Sequence, residues 1–255
     1  MKKFTLLLYL TGLLTTFSFA QRPEYNDLIV YFADGNLEKL LKQAEKYTTA
    51  DDSRKDAIPY LYLSKANLEI SKGGDLAEEF PRAFKDAVKY AGKAIQKDDD
   101  DRTMYNANLP HFTAVKKEVF EQIRNLVESN DYGRLMGVLP LMEKIEKGEI
   151  GTAFLKAVAK YQRGDKSGFR IEQKEALALL DNFDTGSLVL SDDDSIEEAA
   201  KKKIDREVFK FGIIQYAKTL VVMEETSEAK AILGKVKQLY EEDKNFMKEY
   251  NKIVN

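Results

Sequence analysis

The sequence predicts an all-α protein of about ten helices, paired as antiparallel hairpins and stacked into a short solenoid. Three observations carry that prediction. Apolar residues recur at intervals of three and four along almost the whole chain, the spacing of one helical face. No alternation of polar and apolar residues lasts more than a few positions, as a half-buried strand would require. Only five prolines occur, and the breaks between periodic stretches carry the Gly, Asn, Asp and Ser residues that start and stop helices.

The elements follow in order. Leu37, Leu40, Leu41, Ala44 and Tyr47 share one face behind a cap at Asn36 or Gly35. A second helix is expected over 53–71, opened by Ser53 and Asp56 in a capping-box-like spacing, with Ala57, Leu61, Ser64 and Leu68 as its stripe. Gly73 and Gly74 end it. Phe80, Ala83, Ala87, Tyr90, Ala91 and Ala94 form the next stripe, which stops at the acidic run Asp98 to Asp101. A long connection through Asn106, Asn108 and Pro110 is expected, with a possible sub-division of the domain near 102–111. Beyond it, Val115, Val119, Ile123 and Leu126 mark one helix and Leu135, Val138, Leu139, Met142 and Ile145 another. Pro140 predicts a kink or short break in the latter, because proline removes a hydrogen bond and clashes with the preceding turn.

Leu155, Val158, Ala159 and Tyr161 pair with Ala176, Leu179, Leu180 and Phe183 across a turn at Gly164 to Gly168. The stretch 184–194 reads as a polar loop. Ser195 and Glu198 make a capping box that opens a long helix running to Met223. The last helix begins near Ser227 and either continues, or breaks and resumes, through Phe246, Tyr250 and Ile253.

Residues 1–20 are excluded from this fold reading. Lys2 and Lys3 precede an uncharged, leucine-rich run to Phe19, and Ser18-Phe19-Ala20 offers small residues where a signal peptidase reads. That is the pattern of a cleaved secretory signal. The apolar run falls short of the roughly 20 residues a membrane span needs. The junction at Phe19-Ala20-Gln21 resembles signal sequences common in the Bacteroidota. Residues 21–255 are then one helical-repeat domain, exported to the periplasm or secreted, with no transmembrane segment. The chain has no cysteine, so it has neither disulfides nor a thiol to carry a lipid, and its stability rests on a buried core. Its net charge of −3, more negative once Lys2 and Lys3 are removed, argues against nucleic acid, whose binding needs a basic face.

Chemistry is sparse. His111 is the single histidine and reads as a loop residue beside Pro110; a triad or a histidine-based zinc site normally needs supporting groups, and the chain has no cysteine and no second histidine. The acidic runs 98–101 and 192–194 lack the glycine and terminal acid of a calcium-binding EF-hand. Lys201-Lys202-Lys203 reads as a wet helix face. Gly133, Gly137 and Gly148 lack the strand-turn-helix setting of a phosphate loop. No catalytic, cofactor or metal residues are therefore assigned, and the chain is not expected to be an enzyme. Tyrosine, with 13 copies and a crowding of Tyr25, Tyr31, Tyr60, Tyr62, Tyr90, Tyr105 and Tyr132 in the first half, suits a binding surface as well as a core.

The final hairpin resembles a tetratricopeptide repeat, a helix-turn-helix of about 34 residues with small side chains at the crossing. Ala217 and Ala229 match its two small positions. Ile213, Tyr216 and Leu220 match the large positions of the first helix, and Leu233 and Val236 those of the second, while Glu241 replaces the usual proline. The hairpin from Ala57 to Asp98 is a looser match through Ala87, Ala91 and Ala94. The units are longer and uneven, and the family's glycine and tryptophan are missing, so the resemblance covers about half the chain beyond the signal; a related solenoid or an irregular bundle stays open. It implies a scaffold or adaptor that holds protein partners in a concave face, in a setting such as envelope assembly or secretion. Tyr60, Lys65, Asn67 and Asn106 are the expected partner-binding residues, as polar or aromatic positions beside core stripes. The alternative is a helical protein that binds a small molecule or glycan.

Overall fold

The computed structural model describes residues 24–254; the expected signal segment lies outside them. The described residues fold into thirteen α-helices and two short 3-10 turns, with no strand among them. The helices are paired as hairpins: α1 (Asn26–Ala33) with α2 (Leu37–Thr49), α3 (Ala57–Ser71) with α5 (Ala83–Lys97), and α7 (Leu109–Glu128) with α8 (Tyr132–Ile145). Then come α9 (Ile150–Gln162) with α10 (Lys166–Asp181), and α11 (Ile196–Val222) with α12 (Thr226–Val236). Short helices α4 (Asp75–Glu79) and α6 (Thr103–Ala107) fill connections, and α13 (Lys244–Val254) closes the end against α11 and α12. Each hairpin covers the apolar face its predecessor leaves open, through α2 on α3, α5 on α8, α8 on α9, and α11 across both α7 and α9. The result is an all-α, solenoid-like stack.

The predicted stripes form the core. Leu40, Leu41 and Ala44 pack with Leu28 and Leu63 in the amino-terminal cluster. A central cluster runs from Ala57 and Leu61 through Ala87, Val119 and Leu139 to Val208, so it is continuous across residues 102–111. The last cluster holds Phe154, Phe169, Ile213, Tyr216, Ala217, Ala229 and Leu233. Two glycines permit its closest crossing. A Cβ on Gly212 would sit 2.1 Å from the Gly151 carbonyl, and one on Gly151 would sit 2.2 Å from that of Val208, so α9 and α11 meet backbone to backbone.

Several local expectations are corrected. Helix α3 starts at Ala57, not at Ser53. Ser53 is buried and donates to the Tyr47 carbonyl at 3.0 Å, while Asp56 accepts from the Tyr25 hydroxyl at 2.6 Å instead of capping. Pro110 lies inside the first turn of α7 and not in a loop; at that position its missing N–H costs nothing. Helix α8 runs unbroken across Pro140, because Leu135, Leu139, Leu141, Met142 and Ile145 anchor it to the core on both sides. The acidic run at 98–101 follows the end of α5 at Lys97, as expected, and also starts the next helix. The Asp98 carboxylate accepts from the amides of Met104 and Tyr105 (3.0 and 2.7 Å), and Asp99 from Thr103 (2.7 Å), so together they open α6. At the carboxyl end the chain breaks and resumes, through a 3-10 turn at Lys237–Tyr240. The capping box at Ser195 and Glu198 is formed in both directions.

Candidate functional site

The four residues selected from sequence do not form one surface. Tyr60 is 6% exposed and donates its hydroxyl to the Arg54 carbonyl. Asn67 is 5% exposed and donates to the Leu63 carbonyl one turn back. Both turn toward the core. Lys65 is half-buried; its ammonium donates to Asn108 Oδ1 at 2.9 Å and lies over the rings of Tyr62 and Phe32. Burial holds it below the ordinary lysine value. Asn106 is exposed on α6, two residues before the Asn108 that Lys65 reaches.

His111 is the largest local surprise. It sits in the first turn of α7, not in a loop, and its Nε2 lies 2.9 Å from Ser64 Oγ on α3. Ser64 is fully buried and donates its own proton to the Ala87 carbonyl at 2.8 Å. The imidazole must therefore donate from Nε2, and the pair is a structural clasp between α3, α5 and α7. Burial, with smaller contributions from Lys65 and Lys72, depresses the His111 pKa from 6.5 to about 3.

The main concavity lies elsewhere, between the second helices of the second and third hairpins. It is a groove of 1190 Å³ bounded by α5, α6, the carboxyl end of α8 and the start of α11. Gly92 makes the floor, where a Cβ would meet the Lys144 carbonyl at 2.9 Å. The walls carry six cations, Lys89, Lys93, Arg102, Lys144, Lys147 and Lys201, with Ile95, Pro140 and Ile145 between them. Two carboxylates also line it, but each is engaged by a lysine from another element. Glu143 is paired with Lys156 of α9, and Glu146 with Lys116 of α7. Four of the cations, Lys93, Arg102, Lys144 and Lys147, are exposed and face no carboxylate within ion-pair distance among the described residues. The Arg102 guanidinium lies over the Tyr105 ring, 4.0 Å from its centroid.

Under one end of the groove is a closed ring of alternating charge. The Lys116 ammonium, 2% exposed, contacts Glu146 and lies 2.6 Å from Asp205 Oδ1; Lys201 lies 2.6 Å from Asp205 Oδ2 and 3.5 Å from Glu146. Burial alone would lower the Lys116 pKa, yet Glu146, Glu149 and Asp205 outweigh it and hold the ammonium above its ordinary value. Burial would likewise raise Glu146, but Lys116 and Lys201 hold it below 4.5. Glu149 differs: burial dominates and raises it, although the amides of Gly151 and Thr152 donate to it as the cap of α9. The run Lys201-Lys202-Lys203 is therefore no simple wet face, since Lys201 belongs to this ring and Lys202 pairs with Asp194.

Sequence reasoning missed the groove. Its only trace was spacing: Lys89 and Lys93 one turn apart on α5, and Lys144 and Lys147 about one turn apart at the end of α8. Nothing local says that the two pairs face one another. Among the described residues no group of His, Asp and Glu side chains has the arrangement of a metal site, and no helix is long and apolar enough to cross a membrane. Comparison with known proteins finds no matching family model, no matching curated protein and no matching solved structure.

Proposed function

We propose that the protein is a binding scaffold that holds a segment of a partner protein, with the groove between α5 and α8 as the point of contact. The observation that carries this is the set of four exposed cations on the groove walls without carboxylate partners. Like charges gathered at one concavity repel each other, and a bound anionic group would relieve that repulsion. The volume also exceeds the roughly 300–1,000 Å³ typical of small-molecule sites and suits a length of chain. The tetratricopeptide-like spacing around Ala217 and Ala229 supports an adaptor role. The expected signal segment would place the protein in the periplasm, where envelope assembly or secretion would supply partners.

Catalysis is not part of this reading. Ser64 and His111 are the one hydroxyl–imidazole pair among the described residues, and the serine proton is already committed to a backbone carbonyl. The test is site-specific photocrosslinking in the native cell, with the crosslinker at position 93 or 147 and a control at exposed Lys174 on α10. Recovery of one defined protein from the groove positions and not from position 174 is expected. Equal or empty recovery at all three would count against the scaffold.

A further inference from the structure

We infer that the groove between α5 and α8 recognises an acidic segment of polypeptide in which carboxylates alternate with small apolar side chains. This rests on the scaffold reading and adds the chemistry of what the groove takes.

Charge comes first. The molecule as a whole is acidic, with a net charge of −3, yet the groove is strongly basic because its two acids are engaged by lysines from outside it. Glu143 is drawn to Lys156 and Glu146 to Lys116. Lys201 is satisfied by Asp205, and Lys89 has Asp86 at 3.6 Å. What remains to a ligand is Lys93 on one wall, Lys144 and Lys147 on the other, and Arg102 at the end, held on Tyr105. Exposed lysines outside any ion pair occur elsewhere as well, Lys39, Lys117 and Lys174 among them; this cluster stands out because its four cations line one concavity.

Shape narrows the class. Lys89 to Gln96 on α5 cover eight positions, a wall of about 10 Å at 1.5 Å per residue, and Pro140 to Lys147, at the end of α8 and just past it, line the other side. An extended peptide rises about 3.3 Å per residue, so about three residues span it. Successive side chains of an extended chain point to opposite sides, which suits a groove lined by lysines and also by the apolar Ile95 and Pro140.

Other polyanions fit less well. Single-stranded nucleic acid is held by cations together with open aromatic faces on which bases stack. Here the Tyr105 ring is covered by Arg102, and Tyr60 and Tyr90 lie behind Lys93. A polyphosphate would satisfy the charges and leave Ile95 and Pro140 uncovered.

The experiment is fluorescence anisotropy of a labelled peptide of alternating glutamate and alanine with the purified protein, beside a glutamine–alanine peptide and inorganic polyphosphate. Saturable binding of the glutamate peptide alone is expected, weakening as salt rises. Charge reversal in Lys93→Glu/Lys144→Glu should lower affinity by about tenfold or more, and Lys93→Arg/Lys144→Arg should retain it. Both positions are exposed, and circular dichroism would confirm that each variant is folded. Absence of saturable binding, binding indifferent to charge reversal, or preference for polyphosphate would each overturn the inference. A partner crosslinked at the groove through a neutral segment would overturn it too, while leaving the scaffold reading intact. Peptide binding with no protein captured in the cell would support the recognition chemistry and remove the scaffold reading.

Discussion

At the scale of single residues, burial decides more than residue type. His111, held at a pKa of about 3, stays neutral in the folded protein at pH values where the unfolded chain takes up a proton. Stability is therefore expected to fall as pH drops below 6.5 toward 3, since the unfolded state binds the extra proton. As the single histidine, it gives an unambiguous NMR signal, and its ring resonances should not move between pH 8 and pH 5. A titration centred near pH 6.5 would contradict the buried clasp with Ser64. Lys116 makes the complementary case. Removing one partner from a buried charge network leaves the others uncompensated, so Lys116→Met should cost about 3–5 kcal/mol in urea unfolding at neutral pH. Glu146 is held below 4.5, so the stability it contributes is complete above pH 4.5 and is lost as pH falls through its lower folded value. Glu146→Gln should flatten that acid limb, read from denaturation midpoints between pH 6 and pH 3.

At the scale of elements, contacts between helices set what each sequence position tolerates. Gly151 and Gly212 occupy the α9–α11 crossing, where any Cβ collides with backbone; the alanine variants are expected to lose about 1–3 kcal/mol or more, because backbone cannot move aside as a side chain can. Gly137, exposed within α8, has nothing within 4 Å of a built Cβ. There the same substitution should gain about 0.5–1 kcal/mol, the intrinsic helical advantage of alanine over glycine. Equal effects at Gly212 and Gly137 in thermal or urea unfolding would show that the crossing is looser than the structure has it. Pro140 shows the reverse order of forces: a helix breaker by local rule, it is carried inside α8 by buried leucines on either side.

At the scale of the whole molecule, the stack has three apolar clusters that share helices. α3 contributes Leu61 to the central cluster and Leu63 to the amino-terminal one, and α9 contributes Leu155 to the central cluster and Val158 to the last. Because no cluster can be exposed without opening a helix of its neighbour, unfolding by urea should be a single transition. Far-ultraviolet circular dichroism and tyrosine fluorescence are expected to give coincident curves. Separate midpoints would mean that the hairpins unfold independently, as cooperativity fails in long repeat arrays.

The sequence by itself determined the helical class, the order of the hairpins, most stripe residues and the cap at Ser195. These depend on periodicity and on side chains three or four positions apart, which any stretch of chain carries within itself. It even marked Ala217 and Ala229 as small core positions, and both are fully buried in the last cluster. Tertiary structure alone decided the rest. Ser64 meets His111 across 47 positions and Lys116 meets Asp205 across 89, and the lysines of α5 face those of α8 only because the second and third hairpins stack by their second helices. Tyr60 and Asn67 were legible as helical residues beside a core stripe, but not as inward-facing ones, because α3 is covered by α2 on one side and α5 on the other. A helical period tells which residues share a face. Which face meets which is set by the packing of distant hairpins, and in this protein the groove's charge arises from that packing.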